Sequence, residues 1–249
     1  MTDSSIPIRL AGTVILLRDS VEGLETLLLR RNAKLAFAGG AWVFPGGAID
    51  ASELEAASTE EQAARTATVR EVHEECGLTI TEDSLVHFCN WTTPIGEKRR
   101  FATWFFAARA DQNSEDVLID GSEIHEFQWL SLRKSIELYH LGELTLMPPT
   151  YLAISLISHY ESAKSACDML AARQSFEVTP RLCKLDGQMV CLYPGDAGYE
   201  LNDPVISGAR HRTLFTSNGM EYAHSGDDVG VAPMDKPWPY IVLKQRLLC

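Results

Sequence analysis

The chain has little that would anchor it in a membrane or crosslink it. No part of its 249 residues approaches the roughly 18 consecutive apolar residues of a membrane-spanning helix, and the opening stretch MTDSSIPIRL lacks the apolar core of a secretory signal. Its six cysteines are scattered and none forms a C-x-x-C pair, which argues against a zinc site and a disulfide framework. The last residues, Leu247-Leu248-Cys249, differ from the peroxisomal address S-K-L. We therefore expect a cytoplasmic protein with reduced thiols and no membrane contact.

Positive charge is also scarce. The 22 Lys and Arg residues stand against 34 Asp and Glu residues, so the net charge is -12 at pH 7. Such a surface repels the phosphate backbone, and we expect no nucleic-acid partner. A small anionic substrate would need a local cationic patch or a bound metal ion.

The first half of the chain alternates between strand and helix signals. The runs AGTVILLR and ETLLLRR predict a β-hairpin, and the glycine-rich loop AFAGGAWVFPGGAID follows them. A capping box at Ser58 predicts the start of a helix, and Gly77 is suited to end it. Three further strands are predicted at residues 84–92, 100–108 and 127–130.

The sequence changes in character after Pro148-Pro149. Residues 151–173 predict one long amphipathic helix, and Asp186-Gly187 and Asn218-Gly219 predict two hairpin turns. The length suits one large domain or one domain with a sizeable extension. We therefore expect a first domain over residues 1–147 and a C-terminal extension over residues 148–249 that packs on it.

The predicted helix contains the stretch REVHEECGL, with three carboxylates within five residues. A helix advances about 100° per residue, so Glu71, Glu74 and Glu75 share one face. Each like-charge pair costs roughly 0.2–0.5 kcal/mol in an isolated helix. A divalent cation would remove that cost, and ligands that are all oxygen favour Mg²⁺ or Mn²⁺. The alternative interpretation is a solvated acidic surface.

These residues resemble the signature of the Nudix hydrolases, G-x5-E-x7-R-E-U-x-E-E-x-G-U, where U is bulky and apolar. Gly47 and Glu53 match its first part, and residues 70–78 match its second part. Sixteen residues separate this glutamate from the arginine instead of seven, an insertion of nine. Glu60 or Glu61 could therefore take the place of Glu53.

The resemblance implies an α/β fold, namely a Nudix α/β/α sandwich with a mixed sheet, followed by a C-terminal helix and β-hairpin extension. It implies hydrolysis of the diphosphate in a nucleoside diphosphate derivative, with one to three Mg²⁺ ions or with Mn²⁺. Arg70 would pair with an acidic residue and brace the loop against the helix. Glu123 is a candidate further metal ligand or general base, with Glu126 as its rival. The implied metal ligands are the Gly46 carbonyl, Glu71, Glu74, Glu75 and Glu123.

Several stretches resemble one Nudix subgroup, the peroxisomal coenzyme A diphosphatases and their bacterial relatives. They are AGGAWVFPGGAID, WTTP with the following RRFATWFF, LMPPT and YPGD. Ala36 departs from the subgroup, which has Arg at that position. The implied substrate is coenzyme A or acyl-coenzyme A. The alternatives are ADP-ribose, a dinucleotide or a nucleotide sugar, and, in another class, a Nudix-fold binding module without turnover.

Cations near the predicted site elements are candidates for binding substrate phosphates, and the proposed set is Arg31, Arg99 and Arg100. The alternative is ordinary edge-strand charge. Four aromatic residues could stack on adenine or simply belong to the core, namely Trp42, Phe44, Trp91 and Trp104. The expected partner is a small nucleotide diphosphate. The extension could cap the pocket or form a homodimer interface.

Overall fold

The computed structural model describes residues 6–35, 38–110, 116–119, 121–216 and 219–225. The chain divides into two compact units. The first unit comprises Arg9–Asn90 with Ala102–Ser175, and the second comprises Met1–Ile8, Trp91–Phe101 and Phe176–Cys249. The domain boundary expected between residues 147 and 148 stays a prediction. Within the described ranges, no helix is long and apolar enough to cross a membrane.

The first unit is built on a mixed sheet. Its strands are β1 (Ile8–Ser20), β2 (Gly23–Arg31), β3 (Trp42–Val43), β4 (Gly46–Ala48), β5 (Val86–Thr92), β6 (Arg100–Arg109) and β7 (Ile124–Ser131). The order is β3-β2-β1-β6-β5, with β4 beside β1 and β7 beside β2. β1 and β2 form the predicted antiparallel hairpin, which closes with Ser20 opposite Gly23. The other three predicted strands are confirmed as β5, β6 and β7.

Both faces of this sheet are covered at its centre. Consecutive residues of a strand point to opposite faces, yet Val14, Ile15, Leu16 and Leu17 are all 0% exposed. An uninterrupted apolar run of this kind is typical of a strand buried on both sides. The burial agrees with the α/β/α sandwich expected from the sequence.

Helix α2 (Glu60–Cys76) packs against the sheet through its apolar side. Ala64, Val72 and Cys76 are fully buried and belong to the main hydrophobic core. The helix approaches β1 closely at Gly12, where a Cβ would lie 2.6 Å from the Ala64 carbonyl oxygen. Val72 and Cys76, four residues apart, thus lie on the buried face of the helix.

The ends of α2 agree only in part with the sequence. Thr59 is the N-cap, and its Oγ1 accepts a hydrogen bond from the Gln62 N–H at 3.1 Å. The capping box predicted at Ser58 is therefore wrong, because the hydroxyl that reaches the first turn lies one residue further along. The predicted end at Gly77 is confirmed by its left-handed φ of 67°.

A short helix, α1 (Ala51–Ala56), precedes α2 and was not expected from the sequence. The Asp50 N–H donates to Glu53 Oε2 at 2.8 Å, as in a capping box. The lengthened segment between Glu53 and Arg70 thus contains the end of α1 and most of α2. The Asp-x-x-Glu spacing at residues 50–53 is the local signal that could have predicted this helix.

The remaining helices differ from the sequence prediction at one place, where one predicted helix is two. They are α3 (Leu132–His140), α4 (Pro148–Ile157) and α5 (Ala163–Ala171). The single helix predicted over residues 151–173 is wrong, because Ser162 has an extended backbone and its side chain accepts from the Ser165 N–H. That capping bond starts a new helix, while α4 begins earlier than predicted, with proline in its first turn.

The second unit contains mainly short strands, and its four-stranded sheet has the order β12-β11-β10-β9. The strands of this sheet are β9 (Arg181–Leu185), β10 (Gln188–Leu192), β11 (Arg210–Thr216) and β12 (Gly219–Ser225), and β8 (Phe176–Val178) lies outside it. The turn predicted at Asp186-Gly187 is confirmed, with φ of 50° and 82° at its two residues. β11 and β12 pair as the second predicted hairpin, although Asn218 lies outside the described residues.

A buried ion pair lies at the centre of the second unit. Arg212 donates from Nη2 and Nε to the two carboxylate oxygens of Asp196 at 2.6 and 2.7 Å. The backbone N–H groups of Gly198 and His211 donate to the same carboxylate. Although burial raises the pKa of Asp196, these hydrogen bonds outweigh it and lower the pKa. The YPGD stretch therefore serves the fold of this unit.

Within the described residues, the thiols are unpaired. Free cysteines among the described residues are Cys76, Cys89, Cys167, Cys183 and Cys191. Burial raises the pKa of each of these thiols, which disfavours the reactive thiolate. Cys249 lies outside the described residues.

Candidate active site

The glycine-rich loop lies directly against α2. Gly46 has a φ of 148°, and its N–H donates to Glu75 Oε2 at 3.0 Å. A Cβ on Gly46 would overlap the carbonyl oxygen of Gly12, and a Cβ on Gly47 would overlap the carboxylate of Glu71. Both glycines are therefore required by close approach, because any side chain would displace the carboxylates of α2 or the strand beside them.

Arg70 links this loop to both helices. Its Nε and Nη2 donate to the two carboxylate oxygens of Glu53 at 2.8 and 3.2 Å, and Nη2 also donates to the Ala48 carbonyl at 3.1 Å. Its Nη1 donates to Glu71 Oε1 at 3.0 Å and to Glu74 Oε2 at 3.1 Å. The bracing contact predicted between Arg70 and an acidic residue is therefore present.

Glu53 is the acidic partner in spite of the insertion. The alternatives lie elsewhere, since Glu61 accepts from Arg65 at 2.7 Å and Glu60 is exposed in the first turn of α2. Burial alone would raise the pKa of Glu53, but its hydrogen bonds from Arg70 and from the Asp50 backbone lower it. Glu53 is thus held as a carboxylate.

The three carboxylates of the acidic face differ strongly in exposure. The Glu74 side chain is 56% exposed and that of Glu71 is 17% exposed, whereas Glu75 as a residue is 9% exposed. Burial raises the pKa of Glu75 to about 8, against the opposing effect of the Gly46 N–H. Burial also raises the pKa of Glu71, although Arg70 opposes it. The site therefore favours neutralisation by a proton or a cation.

A second group of charges lies at the end of β2 and around the start of β7. Arg31 Nη2 is 3.2 Å from Glu123 Oε2, and Arg30 Nη1 is 3.0 Å from Glu126 Oε2. Arg31 lies beside the glycine-rich loop, since its N–H donates to the Ala41 carbonyl at 3.0 Å, and the charges of Arg31 and Glu123 act in opposite directions on the pKa of Glu75. The structure thus brings two predicted site residues, Arg31 and Glu123, to the acidic face, while Glu126 pairs with Arg30.

The acidic face fits a hard divalent cation in its donor chemistry. Glu71, Glu74 and Glu75 offer only oxygen ligands, and Gly47 leaves the space beside Glu71 without side-chain atoms. In the part of the chain that the structure describes, however, no three Asp, Glu, His or Cys side chains converge closely enough to hold a metal ion. The guanidinium of Arg70 explains this arrangement, because it draws Glu71 and Glu74 toward itself. A cation would have to take these carboxylates from Arg70.

Comparison with known families identifies this combination of loop and helix. The family model of the NUDIX domain matches residues 8–145, more than half of the chain. The chain belongs to the Nudix family. The matched residues include the loop, both helices of the Arg70 network, Arg31 and Glu123, so the site described above lies entirely within the Nudix domain.

Curated relatives resemble part of this Nudix protein. The acyl-coenzyme A diphosphatase NUDT19 of Gallus gallus is 26% identical over 147 residues, which cover 55% of this chain and 38% of that protein. A Caenorhabditis elegans protein named as nudix hydrolase 7 is 24% identical over 169 residues, covering 54% of this chain and 56% of that protein. The chain therefore matches well under two thirds of the length of either relative.

A solved structure supports the fold of the Nudix unit. The crystal structure of a Nudix hydrolase from Alicyclobacillus acidocaldarius superposes with a TM-score of 0.60 and 22% identity. The superposition covers 66% of this chain and 97% of that chain. At this level of identity the likeness shows a shared fold.

Two predicted substrate-binding arginines belong to the second unit. Arg100 Nε donates to the Thr93 carbonyl at 3.2 Å, and Arg99 is exposed. Their role in substrate binding stays a prediction. Ala36, where the coenzyme A subgroup has Arg, lies outside the described residues.

Two features of the Nudix site were not anticipated from the sequence. One is the burial of Glu75, which depends on the loop that covers it and leaves no local signal. The other is the capping contact between Asp50 and Glu53, which the spacing of the two residues does signal. Trp42 and Phe44 are buried, as their interpretation as core residues requires.

Proposed function

We propose that the chain is a Mg²⁺-dependent hydrolase that cleaves the diphosphate of coenzyme A or acyl-coenzyme A, with Mn²⁺ as the alternative cation. The products are 3′,5′-ADP and 4′-phosphopantetheine or its acylated form. The observation that carries this proposal is the surplus of negative charge around Arg70. One guanidinium faces three glutamates, and Glu75 is buried beside them. A surplus of this kind suits a site that binds cations.

The reaction adds water across a phosphorus–oxygen–phosphorus bridge. The water oxygen forms a bond to one phosphorus while the bridging oxygen leaves with the bonding electrons on the other phosphate. Bound Mg²⁺ would supply charge neutralisation and a lower pKa for the attacking water. Glu71, Glu74, Glu75, Glu123 and the Gly46 carbonyl are the groups proposed to hold it. A carboxylate must also accept the proton of the water, and Glu75 and Glu123 are the two candidates.

The choice of coenzyme A has two supports. The Gallus gallus relative is an acyl-coenzyme A diphosphatase, although the match spans 38% of its length. Several short stretches also resemble that subgroup. ADP-ribose, a dinucleotide or a nucleotide sugar would use the same chemistry with a different leaving group.

A substrate panel tests the choice of leaving group. The protein is incubated with Mg²⁺ and, separately, with coenzyme A, acetyl-coenzyme A, ADP-ribose, a dinucleoside polyphosphate and a nucleotide sugar, and kcat/KM is compared. We expect the highest value for one of the coenzyme A compounds, with release of 3′,5′-ADP. Absence of 3′,5′-ADP at high protein concentration contradicts the proposed substrate. Hydrolysis of another compound in the same panel would still support the diphosphatase chemistry.

The Glu74→Gln variant tests the metal role and separates the enzyme from a binding module. We expect it to lose Mg²⁺-dependent hydrolysis while it stays folded, because Glu74 is exposed at 56%. Glu137→Gln is a matched control, since Glu137 is an exposed helical glutamate in an ion pair with Lys134. Unchanged hydrolysis in Glu74→Gln would refute the metal role. Binding of the panel compounds without any turnover by the unmodified protein would favour the module.

A further inference from the structure

Arg31 and Glu123 form an ion pair in the structure, but their side chains differ in exposure to solvent. The Arg31 side chain is 20% exposed and the Glu123 side chain is 60% exposed. Arg31 Nε is buried and finds no hydrogen-bond acceptor within the described part of the chain. A buried donor without an acceptor is costly, so the guanidinium can gain from a further anionic oxygen. The arginine is thus largely fixed in the protein, while the glutamate carboxylate lies on the solvent side of the pair.

The backbone accounts for the direction of Arg31. Along β2 and β7, Arg30 lies opposite Glu126 but Arg31 lies opposite Ile124, so the register shifts between the two arginines. Bulges of this kind change the direction of side chains and are frequent beside active sites. The Asn32 N–H also donates to the Glu123 carbonyl at 2.8 Å, which holds the glutamate backbone in place.

This ion pair borders the acidic face. Arg31 lies beside the glycine-rich loop, because its carbonyl accepts from the Gly40 N–H at 3.0 Å, and the same loop reaches Glu75 through the Gly46 N–H. A diphosphate brought to the cations on that face would therefore place its oxygens within reach of Arg31. A guanidinium binds phosphate in the same two-pronged way as it binds a carboxylate, so phosphate and Glu123 would compete for the same donors.

We propose that Glu123 is a built-in competitor for the anion site of Arg31. Its carboxylate occupies the guanidinium in the free protein, and a phosphate of the substrate displaces it. After the displacement, Arg31 binds the phosphate. The Glu123 carboxylate, released from Arg31, then lies beside the acidic face. This inference rests on the proposed diphosphate hydrolysis and assigns Arg31 and Glu123 a coupled role in substrate affinity.

The test measures the binding of inorganic pyrophosphate by calorimetry, without metal and in the presence of a chelator. Glu123→Gln should tighten binding by about 1.5- to 5-fold, the range expected for removing an exposed ion pair. Arg31→Gln should weaken binding by at least about tenfold, because charged hydrogen bonds to the phosphate are lost. The double variant should bind like Arg31→Gln, since the competitor has nothing left to compete for. The affinity of Arg31→Lys, which keeps the charge, should fall between that of the unmodified protein and that of Arg31→Gln.

Glu137→Gln removes one negative charge from an ion pair of similar length and exposure, 3.0 Å and 59%, and should leave binding unchanged. Thermal unfolding shows whether each variant is folded. Three results would overturn the proposal: weaker or equal binding by Glu123→Gln, the same gain in the Arg31→Gln background, or no pyrophosphate binding by any variant at about 10 mM.

A second measurement separates this role from a purely structural one. With saturating Mg²⁺ and the best substrate of the panel, Glu123→Gln should lower KM and kcat together, because the competitor is lost along with a candidate metal ligand and proton acceptor. A raised KM would contradict the competition. Failure to hydrolyse coenzyme A, with the pyrophosphate results intact, would count against the proposed substrate and leave the exchange between Glu123 and phosphate standing.

Discussion

Arg70 and Arg212 each bind carboxylates, but the surroundings of the two arginines are opposite. Arg212 and Asp196 form a one-to-one pair whose side chains are 3% and 0% exposed. Backbone N–H groups complete the hydrogen bonding of that carboxylate. Arg70 is 27% exposed and faces three glutamates at 3.1 Å or less, two of them on its own helix. The Arg212 cluster is balanced in charge and the Arg70 cluster is not.

The contrast extends to the pKa values of two buried carboxyls. Burial raises the pKa of both Asp196 and Glu75, but Asp196 receives a guanidinium and two N–H donors that lower its pKa below the ordinary value. Glu75 receives one N–H, from Gly46, and its pKa stays raised to about 8. Removing one partner of a balanced buried pair is strongly destabilising, whereas a buried carboxyl with too few donors itself costs stability and is typical of a functional site.

The largest expected effect is on catalysis, at Glu75. Glu75→Gln keeps the shape of the side chain and should lower kcat by about 10²–10⁴-fold, whether the lost group is a ligand or a proton acceptor. Its free energy of unfolding at pH 8 without metal should be equal or higher, because a buried charge is removed. Steady-state rates with Mg²⁺ and urea unfolding with chelator measure the two quantities. A kcat within tenfold of the unmodified protein would contradict the role given to Glu75.

The next largest effect is on stability, at Asp196. Asp196→Ala leaves Arg212 buried without its carboxylate and should cost about 3–5 kcal/mol of unfolding free energy. Urea unfolding measures the loss, and Lys164→Ala serves as a control because its pair with Asp168 is exposed at 68% and 61%. A loss below about 1 kcal/mol, as for an exposed pair, would remove the contrast between the two clusters.

Arg70→Gln should have a smaller effect on stability that depends on metal. Without a cation, the variant leaves three glutamates facing one another and should lose about 1–2 kcal/mol. Added Mg²⁺ should raise its thermal midpoint more than that of the unmodified protein, because the carboxylates no longer have Arg70 to balance them. Thermal unfolding scans without divalent metal, repeated with increasing Mg²⁺, measure these shifts in the midpoint. Equal shifts in both proteins would show that Arg70 and the cation do not share these carboxylates.

Changes in pH should have the smallest effect on stability per pH unit. The free energy of unfolding should change in opposite directions in the two units. The raised pKa of Glu75, about 8 against 4.5, means that stability is lost as pH rises between these values. Burial lowers the pKa of His211 to about 4 from 6.5, so stability there is lost as pH falls between these values. Each slope is at most about 1.4 kcal/mol per pH unit. In metal-free unfolding, Glu75→Gln should flatten the first slope and His211→Gln the second; slopes that persist would contradict these assignments.

Local patterns in the sequence predicted most of the Nudix unit. The β-branched and leucine-rich runs predicted β1 and β2, the glycine after the acidic helix predicted the end of α2, and the acidic spacing predicted the family. These signals depend on residues within one or two turns of each other, so they can be read without knowledge of the fold. The break between α4 and α5 is also local, at the Ser162 cap, and was missed.

What only the tertiary structure decided is how each charge is solvated and paired. Glu71, Glu74 and Glu75 look alike in sequence, but Glu75 is the most deeply buried of the three and accepts a hydrogen bond from Gly46, 29 residues away. Arg31 and Glu123 meet across 92 residues, and Glu53 reaches Arg70 across an insertion. Burial and long-range pairing arise from which segments pack together. The sequence by itself therefore determined that these carboxylates exist on one helix, and the fold determined which of them is buried and which cation each one faces.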